Sequence, residues 1–80
     1  MAYWLIEYRR STGELTQCSP YADAKVAQML RFSLEDFWRA DPDVEVVVLG
    51  ADSLEQLKAT HARYFCTVAE LAERMQATLR

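Results

Sequence analysis

The chain has 80 residues, 51% of them hydrophobic and 26% charged, with two each of Gly, Pro and Cys and a formal net charge of −3. The length excludes a second domain, and the apolar content excludes a disordered or low-complexity chain. Two cysteines exclude a disulfide scaffold, and the mildly acidic balance argues against a general binder of nucleic acid or of an anionic membrane.

The first element is a strand over residues 3–9, where Trp4, Ile6 and Tyr8 alternate with Tyr3, Leu5 and Glu7 at period two. Ser11-Thr12-Gly13-Glu14 is a turn, with Gly13 placed to take positive φ. A short second strand from Leu15 to Cys18 completes a hairpin. Ser19-Pro20 reads as an N-cap followed by a first-turn proline, which starts a helix running to about Ala40. Its apolar stripe is Ala27, Leu30, Leu34 and Phe37, widened by Val26 and Trp38. Asp41-Pro42 ends it.

Val44 to Leu49 is the strongest strand signal, with Val46 to Leu49 contiguous and apolar on both faces, and Gly50 breaks it. Asp52 with Glu55, or Ser53 with Gln56, supplies a capping box for the next helix. Leu54, Leu57, His61, Tyr64, Val68, Leu71 and Met75 then recur at spacings of 3, 4, 3, 4, 3 and 4, a heptad seam. A second capping box, Thr67 with Glu70, leaves two arrangements open: two helices, or one long helix over 53–79 kinked near residue 66.

The expected fold is α+β, in the order ββαβα, with a three-stranded antiparallel sheet of strand order 2-1-3. Both helices are expected on one face, within a single domain over 1–80 whose core covers about 3–65 and whose C-terminal helical extension is 66–80. A right-handed crossover from the second strand puts the third beside the first. Because the first and third strands are apolar on both faces, one helical layer leaves an apolar sheet face open. A homodimer is therefore expected, with Tyr3, Leu5, Val47, Leu49, Val68, Leu71 and Met75 as interface candidates.

The residues that could carry chemistry are few. His61, Arg63 and Tyr64, together with Trp38, could line a pocket for a polar or anionic small molecule. His61 and Cys66 are five apart, the wrong helical spacing for a shared metal, and no metal site or cofactor is expected. Cys18 stands just before Ser19, where a helix N-terminus would favour a thiolate. Residues 35–55 hold seven acids against Arg39 alone, so the edge 41–55 could meet a basic protein partner. No nucleophile elbow, phosphate loop or paired-carboxylate constellation is present, and no catalytic residue is assigned. The apolar residues ahead of Glu7 are too few for a signal-peptide core and no apolar run is long enough to span a bilayer. A cytoplasmic protein with free thiols is therefore expected.

The stretch from Val44 through Gly50-Ala51-Asp52-Ser53-Leu54 to Thr60-His61-Ala62-Arg63-Tyr64-Phe65, with Tyr21 and Asp23 ahead of the first helix, resembles a group of short uncharacterised bacterial proteins. That group shares a ββαβα plan and a Thr-His-x-x-Tyr-Phe ending, and some members are found on mobile gene cassettes. The resemblance covers about residues 3–65. It implies a compact α/β fold with no assigned activity, and it draws attention to Thr60, His61, Arg63 and Tyr64. The leading functional expectation is a dimeric, non-catalytic interaction or regulatory module, and the second is a small-molecule-binding protein.

Overall fold

A computed structural model of the chain describes residues 1–65. The elements are β1 (Ala2–Arg9), β2 (Glu14–Tyr21), α1 (Ala24–Phe37), β3 (Val44–Ala51) and α2 (Leu54–Thr60), followed by a 3₁₀ turn over Ala62–Phe65. The three strands form one antiparallel sheet in the order β2-β1-β3, an α+β fold. Gly13 closes the hairpin at φ 72°, with its N–H donating to Arg9 O at 2.8 Å.

Strand β2 runs further than the sequence suggests. Ser19 pairs with Leu5, Pro20 with Trp4 and Tyr21 with Tyr3, so Ser19-Pro20 belongs to the sheet and starts no helix. β2 is an edge strand, the place in a sheet that tolerates a proline. Between Glu7 and Tyr8 the register shifts, and Thr16 is the extra residue of a bulge on β2. The N-cap of α1 is Asp23, whose carboxylate accepts the Lys25 N–H at 2.8 Å. Gly50 does not break β3 either, since it pairs with Tyr3 and Ala51 pairs with Ala2.

The helices lie on opposite faces, which corrects the expectation of one helical layer. Side chains alternate across a strand, so Trp4, Ile6 and Tyr8 face one way and Leu5, Glu7 and Arg9 the other. Ile6 and Tyr8 pack in one cluster with Ala51, Leu57 and Tyr64, from α2 and the 3₁₀ turn. On the far face Trp38, at the end of α1, reaches Glu7, while Leu5 and Val46 are buried beneath the helix that carries the buried Ala27. Leu5 and Ile6, adjacent in sequence, are 1% and 0% exposed, so both faces are covered at the middle of the central strand. The chain's own α2 and 3₁₀ turn cover the face that was expected to need a second copy. Leu5 is thus core, Val47 and Leu49 pack against the Ile6 cluster, and Tyr3 is half-buried. Of these four, Leu5 is closed to a second copy, and the other three are each partly covered by the chain itself. The other interface candidates, Val68, Leu71 and Met75, lie outside the described residues.

The heptad seam does not run as one helix. Ser53 caps α2, its Oγ accepting the Gln56 N–H at 3.1 Å, and Gln56 Oε1 accepts the Asp52 N–H at 2.6 Å. At the other end the Thr60 hydroxyl donates to Gln56 O at 3.0 Å, and His61 leaves helical geometry at φ −131°, ψ 49°. The break falls at His61, ahead of residue 66, because leaving the helix there lets Tyr64 drop into the core at 7% exposure. Leu54, on the same seam, is 39% exposed.

Candidate functional site

The four pocket candidates do not converge. Arg63 and Tyr64 sit together on the Tyr8 side of the sheet, whereas Trp38 sits on the Glu7 side. The expected pocket uniting them is therefore not built. His61 is the C-cap of α2, its ring 6.5 Å from that of Tyr64.

Arg63 and Tyr64 are engaged by Glu45, which faces them from β3. Glu45 Oε2 accepts from Arg63 Nη2 at 2.7 Å and from the Tyr64 hydroxyl at 2.6 Å, and Arg10 Nε lies 3.3 Å from Oε1. The Arg63 guanidinium also stacks 4.6 Å over the Tyr64 ring. Burial pushes the Glu45 pKa up, but the hydrogen bonds from Tyr64 and Arg63 and the charges of Arg63 and Arg10 outweigh it, so the carboxyl sits below its ordinary range. Burial and the adjacent carboxylate together push the Tyr64 phenol up. This trio pins the 3₁₀ turn to β3 through Glu45 Oε2, while the Arg63 side chain stays 62% exposed. Thr60, His61, Tyr64 and Phe65 in turn act as a helix stop followed by a core plug.

The acids of 41–55 other than Glu55 each have a cation within 4 Å. Asp43 accepts the Ser11 N–H at 2.8 Å and the Ser11 hydroxyl at 2.7 Å, and Arg9 Nη1 lies 3.2 Å from Asp43 and 3.4 Å from Asp41. The Ser11 bonds, with Arg9, hold the Asp43 carboxyl below its ordinary range. Asp52 lies 3.6 Å from the N-terminal ammonium. Much of the local negative charge is thus paired within the chain. Cys18 is on β2 opposite Ile6, packed against the core, and burial raises its thiol pKa. It is no helix-terminal thiolate, and Cys66 lies outside the described residues.

One buried charge escaped notice in the sequence. Glu7 is 9% exposed, and its Oε1 accepts from Trp38 Nε1 while Oε2 accepts from the Thr16 hydroxyl, each at 2.6 Å. A lone acid at an inward position of an otherwise apolar strand was the available signal. The bulge at Thr16 brings that hydroxyl within reach.

What remains open is the outer side of α1. Ala27, Leu34 and Trp38 turn toward the sheet, which carries Phe37 roughly 80° out of that line. Phe37 is 75% exposed and Val26 42%, so neither belongs to the inward stripe where the sequence reading put it. Met29 and Phe32 are exposed beside them, at 67% and 59%. Four large apolar side chains on one short helix form a patch of the kind that marks an interaction surface. Arg31 stacks 4.7 Å from the Phe32 ring and holds Glu35 at 2.9 Å, framing the patch with charge.

Comparison with protein-family models, curated proteins and solved structures finds no match to this chain. No helix among the described residues is long and apolar enough to cross a membrane.

Proposed function

We propose that this protein is a non-catalytic interaction module that docks through the outer face of α1. The observation that carries the reading is the exposure of Val26, Met29, Phe32 and Phe37 on a helix whose opposite side is seated on the sheet. A free surface gains nothing from these residues, whereas a partner would bury them and gain on the order of 25 cal/mol per Å². The small-molecule reading has no comparable support, because Trp38 and the His61–Tyr64 segment lie on opposite sheet faces. Within this reading the chain is a small accessory protein of the cytoplasm.

The test is site-specific photo-crosslinking in cells, with benzoylphenylalanine replacing Met29 and, as a control, Thr12 in the hairpin turn. A discrete adduct is expected from position 29, abolished by Phe32→Arg, and none from position 12. If position 29 yields no adduct beyond that of the hairpin, the reading fails.

A further inference from the structure

We infer that the partner of this face is a second copy of the chain, the two α1 helices packing antiparallel about a two-fold axis midway between residues 30 and 31. The inference rests on the reading of α1 as a docking surface and adds the identity of what docks there.

The first support is the self-complementary order of the face. In an antiparallel pair centred there, Met29 meets the partner's Phe32 and Lys25 meets the partner's Asp36. Lys25 and Asp36 are about three helical turns apart, so they lie on one line of the helix, at opposite ends of the apolar patch. Apolar against apolar and cation against anion both follow from one symmetry operation.

The second support is the charge inside the first and last turns of α1, which runs against the helix's own dipole, although the flanking Asp23 cap and Arg39 run with it. The first turn holds Lys25 and no acid, and the last holds Glu35 and Asp36 and no base. A lone helix is stabilised by the opposite arrangement, with acids at the N-terminal end and bases at the C-terminal end. Beside an antiparallel copy the sign reverses. Each Lys25 then lies against the negative end of its neighbour, and each Asp36 against the positive end. Lys25 forms no ion pair within the described residues, and Asp36 has only a loose one with Arg39 at 3.7 Å, both of its side chains largely exposed. A basic or acidic foreign partner would satisfy one end of the face and oppose the other.

A helix of 14 residues spans about 21 Å. A contact of that length is small beside the ~800 Å² per partner of standard interfaces, so the self-association is expected to be weak and concentration-dependent.

Sedimentation equilibrium on the full chain, with thermal melts as the folding control, tests this. Lys25→Glu and Asp36→Lys are each expected to weaken the dimer about tenfold, and K25E/D36K together to recover most of the loss. Lys25→Glu alone is expected to hold or raise the melting temperature at monomer concentrations, since it suits the helix's own dipole. The Met29 photo-adduct is expected at twice the chain mass. A wild type that is monomeric at 500 µM, or a double variant as weak as the sum of its singles, overturns the pairing. A Met29 adduct with a different protein overturns the pairing and leaves the interaction reading standing. An adduct within one chain, to a peptide from residues 66–80, overturns both.

Discussion

The indole N–H of Trp38 donates to the Glu7 carboxylate at 2.6 Å, and this bond ties the end of α1 to the central strand. Glu7 is almost wholly buried, and each of its oxygens has a donor, Trp38 on one and Thr16 on the other. A buried carboxylate is costly unless hydrogen-bonded in this way.

Trp38→Phe keeps the aromatic packing and removes one donor. The orphaned oxygen is expected to cost about 1–3 kcal/mol, a loss of roughly 5 °C or more in Tm for a domain this size. Replacing both partners, as Glu7→Leu with Trp38→Phe, is expected to recover much of the loss, because no buried charge is then left unpaired. A Trp38→Phe protein that melts like the wild type would show that the bond is not made in solution.

Tyr64→Phe tests the pin between the 3₁₀ turn and β3. A hydrogen bond to a charged group contributes about 1.5–3 kcal/mol, and the loss is read by urea unfolding at pH 7. The pH dependence follows from sign. The Glu45 carboxyl is depressed in the folded state, so its contribution is complete above the unfolded pKa and fades as pH falls through the folded one. Asp43 acts in the same direction. Stability is therefore expected to fall below about pH 4, and the fall to be shallower in Tyr64→Phe, whose Glu45 pKa lies nearer its unfolded value. Parallel acid limbs in the two proteins would count against this role for Tyr64.

The two candidate caps of α1 separate cleanly. Asp23→Ala is expected to cost about 1 kcal/mol through loss of the bond to the Lys25 N–H. Ser19→Ala, in the edge strand, is expected to stay within about 0.5 kcal/mol of wild type. Chemical denaturation of the pair decides; the reverse ranking would return the helix start to Ser19.

Leu57→Ala examines the second helical layer. Leu57 is fully buried against Ile6 and Tyr8, and truncation is expected to cost about 2–5 kcal/mol. Hydrogen exchange should then rise in α2 and the 3₁₀ turn before it rises in α1, since they cover opposite faces. A uniform rise would argue against two separately seated layers.

Much of this was legible because it is local. Period-two alternation marked β1, a valine run marked β3, Gly13 marked the turn, and Ser53 with Gln56 marked the start of α2. Each depends on residues within a few positions of one another. The sheet order also followed, since an antiparallel hairpin and a right-handed crossover leave few alternatives.

The errors share a physical origin. Ser19-Pro20 satisfies the local rules for a helix start and also those for an edge strand, and only pairing with Trp4 and Leu5 decides between them. Thr60-His61 sits inside a helical seam, yet the core volume beneath Tyr8 is filled by Tyr64 only if the helix stops there.

By itself, then, the sequence determined the elements, their strand order and the excess of apolar surface. Tertiary structure decided where that surface goes. Both sheet faces are covered at the middle of the central strand by the chain's own helices, and Glu7 becomes an anchor because Trp38 and Thr16 converge on it. The surplus falls on the outside of α1. That helix is apolar around most of its circumference, so its periodicity could not say which arc faces in. The sheet made the choice by taking the narrow line of Ala27, Leu34 and Trp38, which fits closely against β1 and β3, and turning Met29, Phe32 and Phe37 to the outside.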